Sequence, residues 1–343
     1  MPVTAPSPDR DVRAFIEGAQ GSFDDFSLKA FAYQFAQNVP YQAYCRALNR
    51  TPATVRDWRA VPPVPTDAFK TGLPLCTFPP ELAERSFLSS GTTTEVRGTH
   101  LLRDLSLYQA SILAGWAHAG LPAREHALFL APPPDETPES SLGCMFDTLC
   151  PDQAPGRWLM DHEGAFHLSP LHEAVNRPEP VLLFSTALNL LRLAEQCPAG
   201  LRLPTGSHVF QTGGYKGLHR EVSAATVYET ITDTLQVPAD HVINEYGMTE
   251  LCSQAYAVGF GTPHHLPPWV RVRALDPHTL IELPADTPGY LALFDLANVH
   301  SVSAILTQDF GRVIDDGAFF LHGRDPGALP RGCSRGSDAL AHS

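Results

Sequence analysis

Between residues 125 and 245 the chain repeats one pattern: a short apolar run, then a loop, then a stretch with helical spacing. The runs are Ala127-Leu-Phe-Leu-Ala131, Val181-Leu-Leu-Phe184, His208-Val-Phe-Gln-Thr212 and His241-Val-Ile-Asn244. Helical stretches extend from Ala187 to Cys197 and from about His219 to Leu235. Runs this short and apolar belong to strands buried on both faces. Strands that alternate with helices form a largely parallel sheet covered on both sides. Such sheets bind ligands beyond the carboxyl ends of their strands, so the loops after residues 131, 185, 212 and 244 are the places to look.

The flanks read differently. Leu28, Phe31, Ala32 and Phe35 recur at helical spacing, and Asp104 is placed to cap a helix whose Leu105, Tyr108, Ile112 and Trp116 share a face. After residue 269 the alternation stops. Val270-Arg-Val-Arg273, Gly289-Tyr-Leu-Ala-Leu-Phe294 and Gly317-Ala-Phe-Phe-Leu-His322 read as strands without intervening helices, an antiparallel or barrel-like subdomain. The expected organisation is a helical lead over 1–85, an α/β core over 86–268, a β-rich subdomain over 269–324 and a short tail over 325–343.

Composition narrows the function classes. Lys and Arg total 24 against 37 for Asp and Glu, a formal charge of −13. A sequence-independent nucleic-acid binder needs a basic face, so an anionic ligand here must be held by local donors. No stretch reaches the length of a membrane helix, and Met1 to Arg13 lacks the apolar run of a secretory signal. The seven cysteines are widely and irregularly spaced, with no metal-binding pattern, which reads as free thiols in a reducing cytoplasm.

Three segments can carry chemistry. In Phe87-Leu-Ser89-Ser90-Gly91-Thr92-Thr93-Thr94-Glu95-Val96-Arg97-Gly98, five hydroxyl side chains surround a glycine, with a cation following. Small hydroxyls and exposed backbone N–H groups cradle anions, Gly91 permits close approach, and Arg97 can neutralise phosphate. The alternative is an ordinary Ser/Thr-rich turn, and the Walker pattern is absent. Asn244-Glu245-Tyr246-Gly247-Met248-Thr249-Glu250-Leu251 follows an apolar strand. Tyr246 offers a face for a base, Thr249 a hydroxyl and Glu250 a hard oxygen for Mg²⁺; the alternative is a capped turn with a buried tyrosine. In Leu306-Thr307-Gln308-Asp309-Phe310-Gly311-Arg312, Asp309 can accept both hydroxyls of a ribose, or simply make an Asx turn.

In order and wording these segments resemble the adenylate-forming superfamily of acyl-CoA synthetases, luciferases and adenylation domains. Within it they look most like the acyl-protein synthetases of bacterial bioluminescence. Ala32-Tyr-Gln-Phe-Ala-Gln-Asn-Val-Pro-Tyr41, Pro65-Thr-Asp-Ala-Phe-Lys70, Gln211-Thr-Gly-Gly-Tyr-Lys216 and His322-Gly-Arg-Asp-Pro-Gly327 fit that group as well. The resemblance implies an α/β fold like the N-terminal domain of adenylate-forming enzymes, with mixed and parallel sheets and a β-rich closing subdomain. It implies ATP and Mg²⁺ as cofactors and a carboxylic, typically fatty, acid as substrate. Ser89, Ser90, Gly91, Thr92 and Thr93 would wrap the phosphates. Tyr246 and Gly247 would seat adenine, with Gly213 and Gly214 against its other face. Thr249 would touch the α-phosphate, Glu250 would bind Mg²⁺, Asp309 would hold the ribose and Arg324 would sit near ribose or phosphate. Thr94 stands where a glycine is common, and Arg97 where lysine is usual, exchanging a point charge for a planar fork.

Most adenylate-forming enzymes continue into a small mobile domain whose lysine assists adenylation. Here only the tail 325–343 follows Arg324, as in the bioluminescence group, and Lys216 is a weak substitute. In that tail Arg331-Gly332-Cys333-Ser334-Arg335 sets a thiol between two cations, which favour the nucleophilic thiolate. The resemblance implies that Cys333 takes the acyl group as a thioester for delivery to an acyl reductase. From the residues alone, an idle thiol in a variable tail is the alternative. Three other functions compete: transfer to CoA or a carrier protein without Cys333, nucleotide binding without turnover, and an interaction subunit of a reductase complex.

Overall fold

The computed structural model describes residues 6–89, 96–151, 156–213 and 223–324. In chain order its elements are α1 (Asp9–Ile16), α2 (Phe23–Gln37), α3 (Val39–Ala47), β1 (Val64–Pro65), β2 (Arg85–Leu88), β3 (Thr99–Leu102) and α4 (Ser106–His118). Then come β4 (Ala127–Leu130), α5 (Ser141–Leu149), α6 (Ser169–Ala174), β5 (Leu182–Thr186), α7 (Ala187–Gln196), β6 (His208–Thr212), α8 (Ala224–Leu235), β7 (Val242–Tyr246) and β8 (Ala255–Val258). Last are β9 (His264–His265), β10 (Val270–Leu275), β11 (Pro288–Asp295), β12 (Ala304–Asp315) and β13 (Ala318–Arg324). They fall into two compact units. The first gathers the described residues of Met1–Gly115, Met248–Ser253 and His265–Ser343, and the second those of Trp116–Gly247 and Gln254–His264. The units cut across the consecutive segments read from sequence, because strand pairing brings distant stretches together.

The second unit holds the expected parallel sheet. Strands β4, β5, β6 and β7 pair in parallel in that order, and β8 pairs antiparallel with β7. Alternate side chains of a strand point to opposite faces, so the sheet has two cores. On one face Leu128, Leu130, Leu183, Val209 and Val242 pack with Leu190, Leu193, Val227 and Ile231 from α7 and α8. On the other, Phe129, Phe184 and Phe210 form an aromatic layer, with ring centroids 5.0 Å apart for the first pair and 4.9 Å for the second. Trp116, Phe146 and Tyr256 pack onto that layer. Caps fix where the helices start: the Thr186 hydroxyl accepts from the Asn189 N–H and that of Ser223 from the Thr226 N–H.

The first unit is built on an antiparallel sheet in the order β10-β11-β12-β13, with β1 parallel to β12 and a separate β2–β3 hairpin. Helix α4 is capped as expected, the Asp104 carboxylate accepting from Ser106 N–H at 3.0 Å, and Tyr108 and Ile112 are buried. Helix α2 differs from expectation. Its buried positions are Phe23, Ser27, Ala30, Phe31, Tyr33 and Gln34, so of the apolar stripe Leu28, Phe31, Ala32 and Phe35 only Phe31 is fully inside. A polar residue outcompetes an apolar one here because the core supplies partners. The Gln34 amide nitrogen donates to the Asn298 carbonyl at 2.9 Å and to the Ser303 hydroxyl at 2.9 Å, and its oxygen accepts from Ser303 N–H at 3.1 Å. Gln34→Ala leaves those groups buried and unpaired. It should lower unfolding free energy by about 2 kcal/mol in urea titrations; a loss within error would show that water replaces the amide. No helix among the described residues is long and apolar enough to cross a membrane.

Candidate functional site

The base of the Ser/Thr loop is a closed hairpin. Beyond the last β2–β3 pair, the Ser89 N–H donates to the Gly98 carbonyl at 2.8 Å, and the Gly98 N–H donates to the Ser89 hydroxyl at 2.7 Å. The Arg97 guanidinium folds back over this clasp, Nε donating to the Ser89 carbonyl at 2.7 Å and Nη2 to that of Leu88 at 3.2 Å. Ser89 and Arg97 are thus tied into the stem of the loop. Ser90, Gly91, Thr92, Thr93 and Thr94 lie outside the described residues.

In the same unit the clasp lies beside Glu250. A Cβ added at Gly98 would stand 3.2 Å from the Ser89 hydroxyl and 3.4 Å from the Glu250 carboxylate, so glycine leaves the two groups room to approach. Glu250 is 6% exposed. Burial pushes its carboxyl pKa up, the positive fields of Arg324 and Lys70 pull it down, and Asp309 opposes them. Its backbone is pinned: the Asn298 amide donates to the Glu250 carbonyl at 2.8 Å. One residue earlier, the Thr249 carbonyl accepts from the Nδ1 of His100 at 2.7 Å. His100 is buried, and desolvation lowers its pKa to about 4, so the ring is neutral and the Nδ1–H tautomer is the donor. Asp295 holds the far side of this loop, accepting from the N–H of Cys252 at 2.9 Å and the hydroxyl of Ser253 at 2.7 Å.

Asp309 and Arg324 face one another across the β12–β13 ladder, where Arg324 Nε donates to the Asp309 carboxylate at 3.4 Å. The Asp309 N–H donates to the Thr307 hydroxyl at 3.1 Å, which in turn donates to the Leu291 carbonyl at 2.7 Å. The pair is therefore set on rigid strand backbone. The first unit thus joins Ser89, Arg97, Gly98, Glu250, Asp309 and Arg324, and it adds Lys70, whose ammonium also pairs with Asp67 at 3.1 Å. Among the described residues no three His, Cys, Asp or Glu side chains cluster closely enough to hold a metal ion. A Mg²⁺ held by Glu250 would complete its shell from a ligand's phosphate oxygens and water, the usual arrangement for that ion.

The second unit carries Gly213, Tyr246 and Gly247 at the carboxyl ends of adjacent strands, where Thr212 pairs with Glu245. Gly213 has φ +84° and nothing would meet a Cβ there, so the left-handed backbone, not lack of room, is what favours glycine. At Gly247 a Cβ would run into the Glu245 carboxylate. The Tyr246 ring is buried and meets His264 edge-on at 6.1 Å. Gly214 and Lys216 lie outside the described residues, as does Cys333.

Glu245 is buried and accepts a hydrogen bond from the Thr212 hydroxyl. Desolvation pushes its pKa up to about 7, with the Thr212 bond pulling the other way. The folded state therefore holds this proton more tightly than the unfolded chain, and stability attached to it is complete below the unfolded value near 4.5 and lost as pH rises through about 7. Glu245→Gln should remove that slope. Relative to wild type it should gain about 3 kcal/mol between pH 4.5 and pH 8, read from unfolding free energies across pH. A parallel pair of curves would mean that Glu245 stays ionised in the fold.

Comparison with known proteins bears on this geometry. Residues 181–329 match the family model described as "Acyl-protein synthetase, LuxE". This segment is LuxE-like. It includes β5 to β13 and, with them, Tyr246, Gly247, Thr249, Glu250, Asp309 and Arg324. A curated relative, the long-chain-fatty-acid–luciferin-component ligase of Aliivibrio fischeri, is 30% identical over 108 residues, which is 31% of this chain and 28% of the relative. The chain thus matches under a third of that relative's length. Among solved structures, 2-hydroxyisobutyryl-CoA ligase in its postadenylation state, in complex with 2-HIB-AMP, superposes with a TM-score of 0.60 at 11% identity, covering 92% of this chain and 67% of the ligase. McyG A-PCP complexed with phenylalanyl-adenylate reaches 0.51 at 19% identity over 73% of this chain and 42% of its own. The fold is that of the adenylate-forming enzymes, a mixed α/β architecture.

Four residues around this site are not legible in the sequence. His100, Lys70, Asp295 and Asn298 act through contacts with segments remote in sequence: the His100–Thr249 bond spans 149 positions and the Asn298–Glu250 bond 48. Only Lys70 had a local signal, as the last residue of the Pro65–Lys70 segment.

Proposed function

We propose that the chain is an ATP-dependent acyl-protein synthetase. It adenylates a carboxylic acid, a long-chain fatty acid foremost, and moves the acyl group to its own Cys333 as a thioester for delivery to an acyl reductase. The observation that carries this reading is Glu250: a buried carboxylate on a pinned loop, beside the Ser89–Gly98 clasp, in the field of Lys70, Arg324 and Asp309. The LuxE-like segment and the ligase name of the Aliivibrio fischeri relative support it.

When bound, Mg·ATP supplies an electrophilic α-phosphorus and pyrophosphate as leaving group. The protein's part is to place groups around it. Glu250 would ligate the metal. Ser89, Ser90, Gly91, Thr92 and Thr93 would line the phosphates, on a loop whose stem Arg97 braces. Thr249 would reach the α-phosphate. Asp309, oriented by Arg324, would accept from the ribose hydroxyls. Tyr246 and Gly247, with Gly213 and Gly214, would seat the base. An oxygen of the acid's carboxylate bonds to the α-phosphorus as the bond to pyrophosphate breaks. The Cys333 thiolate, its proton already lost to solvent, then attacks the carbonyl carbon; the C–S bond forms and AMP leaves with the electrons of the C–O bond.

ATP–pyrophosphate exchange across a panel of acids tests the reading. Exchange should require an acid and be fastest with long alkyl chains. Absence of exchange with every acid would overturn it in favour of a nucleotide-binding protein without turnover.

A further inference from the structure

The second unit contains a pocket of about 540 Å³ that the proposed chemistry does not use. It lies at the amino-terminal edge of the parallel sheet, opposite the edge where Gly213 and Tyr246 emerge. Residues 121–125, just before β4, form one wall. Leu149, Cys150 and Pro151, at the end of α5, form another, and Arg157 and the Trp116 ring complete it. The walls are fixed to the sheet. Trp116 Nε1 donates to the Pro122 carbonyl at 3.1 Å, the Ala127 N–H to the Arg124 carbonyl at 3.2 Å, and the Phe129 N–H to the Arg157 carbonyl at 2.9 Å.

Two guanidiniums and one carboxylate, Glu125, line this pocket, and among the described residues the carboxylate pairs with neither guanidinium. Neither Arg124 nor Arg157 makes an ion pair among the described residues. Arg124 lies over the Trp116 ring, 5.8 Å from its centroid, and its Nη1 is sealed from solvent with no hydrogen-bond partner. Both cations act on one thiol: burial raises Cys150 to about 11, Arg124 and Arg157 each pull it back, and Asp147 adds to the rise. The guanidiniums thus converge on the same corner. In a chain with a formal charge of −13, uncompensated and partly desolvated cations are costly unless an anion completes them.

We propose that Arg124 and Arg157 bind the oxyanion of a small organic ligand, a phosphate or a carboxylate, whose apolar part lies against Trp116 and Leu149. Guanidiniums suit either anion through paired N–H donors, and the indole and leucine supply the apolar contact. The site is separate from the proposed nucleotide site, so either can fail without the other.

The test titrates the full chain with phenyl phosphate, benzoate and uncharged benzyl alcohol, with excess AMP present and again without it. The readout is tryptophan fluorescence, with Trp116→Phe identifying the reporting ring. At least one anion should bind saturably under both conditions, and the alcohol should not. Arg157→Gln should weaken binding about tenfold, the loss of one charge-assisted contact, and Arg124→Lys should weaken it less. Thermal unfolding of both variants checks that they fold, and two substitutions at different walls keep the test open if one does not. Binding of phenyl phosphate alone assigns a phosphoryl ligand; equal binding of benzoate extends the site to carboxylates. Unchanged affinity in Arg157→Gln, saturation by neither anion, or benzyl alcohol binding as tightly as the anions would overturn the proposal.

Discussion

Replacing Glu250 by glutamine will reduce acid-dependent pyrophosphate exchange by roughly a hundred- to a thousandfold while leaving the fold at least as stable. The two halves of this prediction have one cause. Glu250 is nine-tenths buried, and burial is the largest influence on its pKa, so its negative charge is held at a cost that Lys70 and Arg324 only partly offset. Glutamine has the same shape without the charge, and the backbone contacts of this loop, from Asn298 to the Glu250 carbonyl and from His100 to that of Thr249, do not involve the side chain. A residue retained for stability would show the reverse: a variant that unfolds early and loses activity in proportion. A divalent cation changes the electrostatics further, because it supplies the positive charge the carboxylate lacks. Mg²⁺ with ATP should therefore raise the melting temperature of the wild type and not of Glu250→Gln. Equal shifts in both would remove Glu250 from the metal and leave it a structural acid.

Strands β4 to β7 were legible because a strand buried on both faces needs apolar residues throughout, and nothing in its neighbours changes that requirement. The Tyr246–Glu250 segment was legible for a related reason: it follows directly on such a strand. Strand β12 was not. Its Asp309-Phe310-Gly311-Arg312 reads as a turn, yet the chain runs straight through it for 12 residues. The explanation lies across the ladder. A bulge falls between Phe310 and Gly311, and a Cβ at Gly311 would stand 2.5 Å from the Phe320 carbonyl, so the glycine admits a close strand rather than ending one. The Asp309–Arg324 pair follows from this register and could not be placed without it. Helix α2 teaches the same point on burial. Its period was visible, but the buried face includes Gln34 because carbonyl and hydroxyl partners await it some 260 positions later. Sequence shows what a residue offers; the partner that makes use of it is set by tertiary pairing.

Cys333→Ala should abolish the covalent acyl adduct and leave pyrophosphate exchange near the wild-type rate. In the proposed reaction adenylation would use the groups around Glu250 and no thiol, whereas thioester formation would need a thiolate. The other six cysteines are poor substitutes. Cys45, Cys76, Cys150 and Cys252 are buried, and Cys144 and Cys197 are only partly accessible. Burial pushes Cys45 to about 12 and Cys150 to about 11, and it raises Cys76 and Cys197 as well. A thiol with a raised pKa holds little thiolate at neutral pH. Cys333 has the opposite setting in sequence, between Arg331 and Arg335 with glycines on either side. Incubation with ATP and a labelled fatty acid should therefore give a hydroxylamine-labile adduct that maps to Cys333 and vanishes in the alanine variant. An adduct that persists on another cysteine would move the acceptor. Exchange that falls together with the adduct, in a variant that still unfolds cooperatively, would reject the division between an adenylating site and a separate thiol. Transfer to added CoA with no adduct in the wild type would make the chain an acid–CoA ligase, with Cys333 a bystander.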